Sequence, residues 1–238
     1  MSPPLFLVDS LPAAPEFTLD GAEGRHAADV ARLRAGERLL LGDGVGATAL
    51  AVVTAAGRGR LDLSILERGY REPADPRIVV AQGIAKGERG ELAVQAMTEA
   101  GVDEIVPWLA MRSVAVWRDE KPLLRWRSTA REAAKQARRA WLPAVPPAES
   151  TAALAARAAE TPTFVLDGDS TARLSTVDLP STGSIMLVVG PEGGVALEEL
   201  ATLEASGAVP VRLGDTVLRT STAGVAAVAL VSGRLARW

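Results

Sequence analysis

The chain has no cysteine, which excludes disulfides and thiolate zinc sites together. It has one histidine, His26, so a multi-histidine metal centre cannot be built and a Ser-His-Asp triad would depend on that single residue. No apolar run approaches the roughly 20 residues of a membrane-spanning helix, and Met1 to Asp20 lacks a basic start followed by an apolar stretch. These absences predict a soluble, cytoplasmic protein. No lysine follows a glycine-rich loop at Walker A spacing, so an ordinary P-loop nucleotide enzyme is excluded.

What is present is ordinary globular material. The 238 residues are 48% hydrophobic and 23% charged, enough for one large domain or two modest ones with a real core. The net charge is -3, but its distribution is uneven. Between Arg112 and Arg139 stand Arg112, Arg118, Lys121, Arg125, Arg127, Arg131, Lys135, Arg138 and Arg139, against only Asp119, Glu120 and Glu132. Such a cluster on an acidic protein fits an anionic partner, or equally a solvated helix face.

The first part of the chain reads as short strands. Leu5 to Val8, Glu37 to Gly42, Ala49 to Thr54 and Leu61 to Leu66 carry apolar or alternating patterns separated by glycine and aspartate. A short helix around Ala27 to Leu33 interrupts them, and the whole suggests a small β-barrel. Arg71 to Pro76 reads as a linker, because its prolines and charges halt both periodicities. Beyond it, strand and helix alternate. Strands are expected at Arg77 to Gln82, Glu104 to Leu109, Thr163 to Asp167, Ile185 to Val189 and Val209 to Leu213. Helices are expected at Arg89 to Glu99, with Leu92, Ala96 and Met97 on one face, at Ala152 to Ala159, at Leu197 to Ser206 and at Ser221 to Arg237. Trp126, Ala130, Ala133, Ala134, Ala137 and Trp141 recur at helical spacing beside Arg127, Arg131, Lys135 and Arg138, which predicts a helix with an outward cationic stripe. Alternation of this kind implies an α/β fold with a largely parallel sheet.

Three glycine-bearing stretches differ in weight. Gly42-x-Gly44-x-x-Ala47 fits a dinucleotide fingerprint superficially, but a strand follows it, so a hairpin turn around Asp43-Gly44 is expected. Gly190-Pro191-Glu192-Gly193-Gly194 instead leaves the buried strand Ile185 to Val189 and enters a helix, the place where open α/β sheets bind ligands. Its glycines let the backbone approach a ligand closely, and Glu192 can accept hydrogen bonds. The run from Leu213 to Ala223 has the same strand-to-helix setting, with Thr220, Ser221 and Thr222 as caps and hydroxyl donors and Arg219 as its one cation.

The pair Gly-Pro-Glu-Gly-Gly and Leu-Gly-x-x-Val-Leu-Arg-Thr-x-Thr-Ala resembles the signature of the SPOUT-superfamily methyltransferases. More narrowly, the chain is similar to the RsmE family, the 16S rRNA (uracil-N3) methyltransferases. Arg25-His26, Val30 to Leu33 and Gly42-Asp43-Gly44 resemble that family's N-terminal module, and Ala85 to Arg89 and Glu99 to Val102 its central block. The resemblance implies a PUA-like β-barrel for RNA over residues 1–72 and a methyltransferase domain over residues 73–238. It also implies a deep trefoil knot in a parallel sheet, a homodimer, and S-adenosylmethionine as cofactor with no metal. Knots are nearly absent from folds generally, so only the resemblance could suggest one. Carried over, the donor loops comprise Leu166, Asp167 and Gly168; Val189, Gly190, Pro191, Glu192, Gly193 and Gly194; and Leu213, Gly214, Val217, Leu218, Arg219, Thr220 and Thr222. The chain departs from the family's habit at Lys135-Gln136-Ala137, at Ser221 and near Asp167.

Uridine N3 carries a proton and attacks poorly until that proton leaves, so catalysis must favour the uridine anion and align it with the donor. Arg219 is the expected electrostatic partner of that charge, because arginine stays protonated and cannot act as a base. Glu192 is the second catalytic candidate, as a proton acceptor or a donor-positioning group. His26, Lys86, Arg89, Arg131, Gln136 and Arg139 are the candidate contacts to 16S rRNA of the small ribosomal subunit. Two other readings stand beside this one, a ribose 2′-O methyltransferase and a non-catalytic RNA-binding or ribosome-assembly protein.

Overall fold

Leu39 and Leu41, Ala49, Ala51 and Val53, and Leu61 and Leu63 are all buried, and each set recurs at every second residue. That period gives a strand one apolar face. In the computed structural model, which describes residues 2–115 and 117–238, these faces line a single core with Phe6, Leu19 and Ala27. The strands are β1 (Leu5–Leu7), β2 (Glu16–Leu19), β3 (Arg38–Gly42), β4 (Ala47–Gly57) and β5 (Arg60–Tyr70). They form one sheet in the order β1-β3-β4-β5-β2, parallel between β1 and β3 and antiparallel elsewhere. Register shifts at Leu50/Ala51 and Val53/Ala55 interrupt the β4–β5 ladder, and such bulges bend and twist a sheet. Gly42 to Gly46 is the hairpin connection between β3 and β4, with Asp43 Oδ1 accepting from the backbone N–H groups of Val45 and Ala47.

Two expectations for this region need correction. Strand β2 has no signal in the sequence, because at the end of the sheet only Leu19 of its four residues is buried and no alternation shows. The helix starts earlier than Ala27. α1 (Gly21–Arg25) continues into a π-helical turn at His26–Val30, and Arg32, with φ of 56°, lies in the left-handed region just before Leu33. Ala27 and Gly24 are the buried positions of this segment, small enough to let it lie close on the sheet.

The second sheet is wholly parallel. Its strands β6 (Arg77–Gly83), β7 (Glu104–Trp108), β8 (Thr163–Leu166), β9 (Ser184–Val189) and β10 (Val209–Val211) run in the order β10-β8-β9-β6-β7. Both faces are covered, which explains the continuous apolar runs. Ile78 and Val80 of β6 and Ile185, Leu187 and Val189 of β9 enter one core, shared with α2 (Arg89–Glu99) and α6 (Thr220–Arg234). Val79, Ala81, Met186 and Val188 enter the other, shared with α4 (Thr151–Ala158) and α5 (Leu197–Ala205). Leu154 of α4 is fully buried in that second core. Leu154→Ala is expected to cost about 2–5 kcal/mol, read as a lower midpoint in denaturant unfolding with an unchanged slope.

Helix faces were harder to read. In α2 the buried residues are Gly90, Ala93, Val94, Met97 and Thr98, while Leu92 is half exposed. The expected face of Leu92, Ala96 and Met97 is therefore rotated from the true one. α3 (Lys121–Gln136) buries Trp126, Ala130, Ala133 and Ala134 as expected, but it ends before Ala137 and Trp141. Arg138, with φ of 52°, turns the chain, and its N–H bonds back to the Lys135 carbonyl.

The chain divides into two compact units, Met1–Pro73 with Ala134–Leu142, and Ala74–Ala133 with Pro143–Trp238. In the first, Trp141 packs edge-on against Tyr70 at 6.3 Å and its indole N–H donates to the Arg71 carbonyl at 2.7 Å. In the second, Arg157 grips Glu149 and Glu104 at 2.6 and 2.9 Å. Burial pulls the Arg157 guanidinium down, but those two carboxylates outweigh it and hold it above its ordinary value. Among the described residues, no helix is long and apolar enough to cross a membrane.

Candidate active site

β8, β9 and β10 are close companions in a parallel sheet, so their carboxyl ends fall side by side. The loops that leave them, around residues 166–168, 189–195 and 212–220, enclose a cavity of about 450 Å3, within the range of small-molecule sites. Nearly every residue expected in the donor loops lines it. Gly193 and Thr222 do not. The Cβ position of Gly193 lies 2.9 Å from Cβ of Arg112, whose guanidinium holds the Gly193 and Val195 carbonyls at 3.1 and 3.3 Å. Thr222 turns back to its own helix, donating to the Arg219 carbonyl at 3.1 Å.

The glycine-rich turn is braced from several sides. The Gly194 N–H donates to the Pro191 carbonyl at 2.9 Å, and Gly194 has φ of 72°, a conformation that favours glycine. Glu192 Oε1 accepts from the Lys86 N–H at 3.1 Å and lies 3.5 Å from the Arg89 guanidinium. The Glu192 carboxylate thus ties the turn to the start of α2. Thr220 is buried, and its hydroxyl donates to the Gly190 carbonyl at 2.8 Å. The expected capping role for the hydroxyls is not what they do. Arg219 is the N-cap of α6 and makes no side-chain cap, whereas Thr220 and Thr222 satisfy carbonyls.

Charge around the cavity is mixed. Arg89, Arg212 and Arg219 line it, with Asp167 and Glu192. Arg89 faces Glu192, and Arg212 lies 3.4 Å from Asp215. Arg219 is exposed at the rim, and among the described residues its side chain makes no ion pair or hydrogen bond. Apolar walls come from Leu166, Val189, Leu213, Val217 and Leu218. Such a mixture can hold a flat heterocycle against apolar surface and leave one cation for a second, anionic reactant.

Of the expected RNA contacts, Lys86, Arg131 and Gln136 are exposed and Arg139 is half-buried. Arg89 stands at the cavity wall. His26 packs edge-on against Phe6 at 5.7 Å, and its Nδ1 is 3.4 Å from Nζ of Lys135. Lys135 itself is buried and paired with Glu23 at 3.0 Å, so it does not join an outward stripe. Sequence reading also misses Arg112, Val195 and Arg212 around the cavity. In the sequence Arg112 shows only its charge, and Arg212 only its place near the end of a strand. Among the described residues, no group of three or more His, Cys, Asp or Glu could hold a metal ion.

Residues 72–232 match the family described as RNA methyltransferase domain, and residues 19–66 the one described as RNA methyltransferase PUA domain. The ribosomal RNA small subunit methyltransferase E of Mycobacterium bovis is 48% identical over 98% of this chain and 93% of its own length. The protein of that name from Bacillus subtilis is 28% identical over 92% of this chain and 90% of its own. The crystal structure of ribosomal RNA small subunit methyltransferase E from Neisseria gonorrhoeae, bound to S-adenosyl methionine, superposes with a TM-score of 0.88 at 28% identity, covering 98% of both chains. The parallel-sheet unit is accordingly an RNA methyltransferase domain. The chain belongs to the ribosomal RNA small subunit methyltransferase E family.

Proposed function

We propose that this protein transfers a methyl group from S-adenosylmethionine to N3 of a uridine in 16S rRNA of the small ribosomal subunit, working in the cytoplasm as a homodimer. The observation that carries the reading is the three-loop cavity with Arg219 at its rim, a cation whose side chain has no ion pair among the described residues. The cavity fits the cofactor. Its volume suits a ligand of that size, its apolar walls suit adenine, and its loops expose backbone N–H and C=O groups for the polar edges. When bound, the cofactor supplies an electrophilic methyl group on a sulfonium.

The chain's own residues then have distinct tasks. Leu166, Val189, Leu213 and Leu218 exclude water from the donor. The turn from Gly190 to Gly194 holds it close to backbone. Arg219 stabilises negative charge on the uracil ring as the N3 proton leaves, which raises the fraction of base able to attack. Glu192 fixes the turn through Lys86 and Arg89, so its part is positioning. Lys86, Arg131, Gln136 and Arg139 contact phosphate and sugar, with residues 1–72 serving RNA recognition and residues 73–238 methyl transfer. The contacts of His26 with Phe6 and Lys135 support a bracing role for that residue within its own unit.

We further propose that the β8–β9 connection forms the loop of a trefoil knot. Arg234 of α6 donates to the Leu174 carbonyl at 2.9 Å, and Arg173 bridges Arg212, contacts that support threading of the C-terminal segment beside that loop. The test of the function is methyl transfer to small ribosomal subunits lacking the modification, with mass spectrometry locating the methyl group. Methylation of a ribose 2′-oxygen, or no transfer at all, would overturn it. Binding to the rRNA is expected to weaken steeply with salt, and Arg131→Ala to shallow the log–log slope by about 1. A slope unchanged by that substitution would remove Arg131 from the phosphate contacts.

A further inference from the structure

Gln82 closes the face of β6 that carries Ile78 and Val80, and like them it is wholly buried. It pairs in register with Val189, the last residue of β9 before the glycine-rich turn. An amide placed at the end of an apolar strand face must find partners or carry a penalty. Its Nε2 donates to Thr220 Oγ1 at 2.9 Å and to the Gly83 carbonyl at 3.1 Å. Thr220 Oγ1 in turn donates to the Gly190 carbonyl at 2.8 Å.

The direction of this chain of bonds is fixed by proton count. A hydroxyl has one proton to give, and Gly190 receives it, so Thr220 must accept from Gln82. The amide is thereby oriented with Nε2 towards Thr220. Its Oε1 is left buried without a hydrogen-bond partner, on the side where a Cβ at Gly224 would meet it at 3.3 Å. The structure keeps this orientation although one acceptor goes unsatisfied. The donor end therefore has the structural task.

We infer that Gln82 is a positioning residue for methyl transfer: through the Thr220 hydroxyl its amide sets the Gly190 carbonyl, and with it the glycine-rich turn, against the first turn of α6. Gln82 does not line the cavity, so it acts without touching either reactant. The two loops it joins leave different strands, β9 and β10, and Arg219 directly precedes Thr220. Shifting this link would move both the donor's backbone cradle and the cation at the rim. The inference rests on the reading of the cavity as a methyl-donor site.

Gln82→Glu tests it with nearly unchanged shape. An ionised carboxyl cannot donate, so the Thr220 hydroxyl turns towards it and the Gly190 carbonyl loses its bond. At pH 8 the S-adenosylmethionine Kd is expected to rise about tenfold or more, with a larger loss in kcat/KM. Burial pushes the introduced carboxyl up from its ordinary value of about 4.3, and the protonated form can donate as the amide does. The ratio of wild-type to variant kcat/KM should therefore shrink as pH falls. Gln82→Met lacks the donor at every pH, so its deficit should stay constant. Thr220→Val breaks the same chain at its middle, and adding Gln82→Met to it should raise the donor Kd little further, a non-additivity that independent packing defects do not give. Wild-type donor affinity in Gln82→Met, or a Gln82→Glu deficit as flat with pH as that of Gln82→Met, would overturn the role of Gln82. Should the unmodified chain bind no S-adenosylmethionine in calorimetry, the donor-site reading itself falls, a result distinguishable from failure of the variants alone.

Discussion

Arg219→Ala is expected to lower methyl transfer by about 100-fold or more, the scale seen when one donor to a developing anion is removed, while S-adenosylmethionine affinity stays within about threefold. The split follows from geometry. Arg219 lies at the rim of the cavity, exposed, and its side chain makes no ion pair or hydrogen bond among the described residues. As N-cap of α6 it contributes no side-chain cap, so truncation leaves the helix start intact and the melting temperature unchanged. Arg219→Lys keeps a positive charge without the planar fork, and an intermediate rate is expected from it. Single-turnover kinetics with calorimetry of donor binding separate the two effects. Normal turnover in Arg219→Ala with unaltered donor affinity would remove Arg219 from the chemistry, and an equal loss of both would make it a donor-binding residue.

The cavity was legible in the sequence because its signals are local. A glycine cluster after an apolar run marks a strand end, and two such ends with small and hydroxyl residues mark neighbouring loops. The sheet was legible for the same reason, since β6 and β9 are apolar on both faces. What escaped depends on partners far along the chain. Lys135 looks like one member of a basic stripe until Glu23, more than a hundred residues earlier, neutralises it at 3.0 Å. Leu92 looks like a core residue until the packing of Ala93 and Met97 rotates α2 away from it. Gln82 carried a usable signal, an amide at the buried end of the Ile78–Val80 face, but not the identity of Thr220 as its partner. Helix faces and long-range polar links are set by tertiary packing, which periodicity alone does not contain.

The close approach of β6 to the glycine-rich turn leads to the second large effect. A Cβ at Gly83 would lie 2.6 Å from the Pro191 nitrogen, 2.8 Å from Pro191 Cδ and 3.0 Å from the Gly190 carbonyl carbon. None of these atoms is the end of a flexible side chain, so relief requires backbone movement. β6 is held between β9 and β7, and the turn is therefore what yields. Gly83→Ala is expected to destabilise the fold by about 1–3 kcal/mol, typical of overpacking, and to raise the donor Kd by tenfold or more, because the displaced turn carries the Gly190 carbonyl and the cavity wall with it. Gly233→Ala is the matched control: nothing lies within 4 Å of its Cβ position near the end of α6, so alanine there should be neutral or stabilising by up to about 1 kcal/mol with donor binding unchanged. Denaturant unfolding and calorimetry on the two variants give the comparison. If Gly83→Ala binds the donor as tightly as the unmodified chain, the turn does not need the contact that excludes a side chain at position 83, and the cavity's shape is set elsewhere.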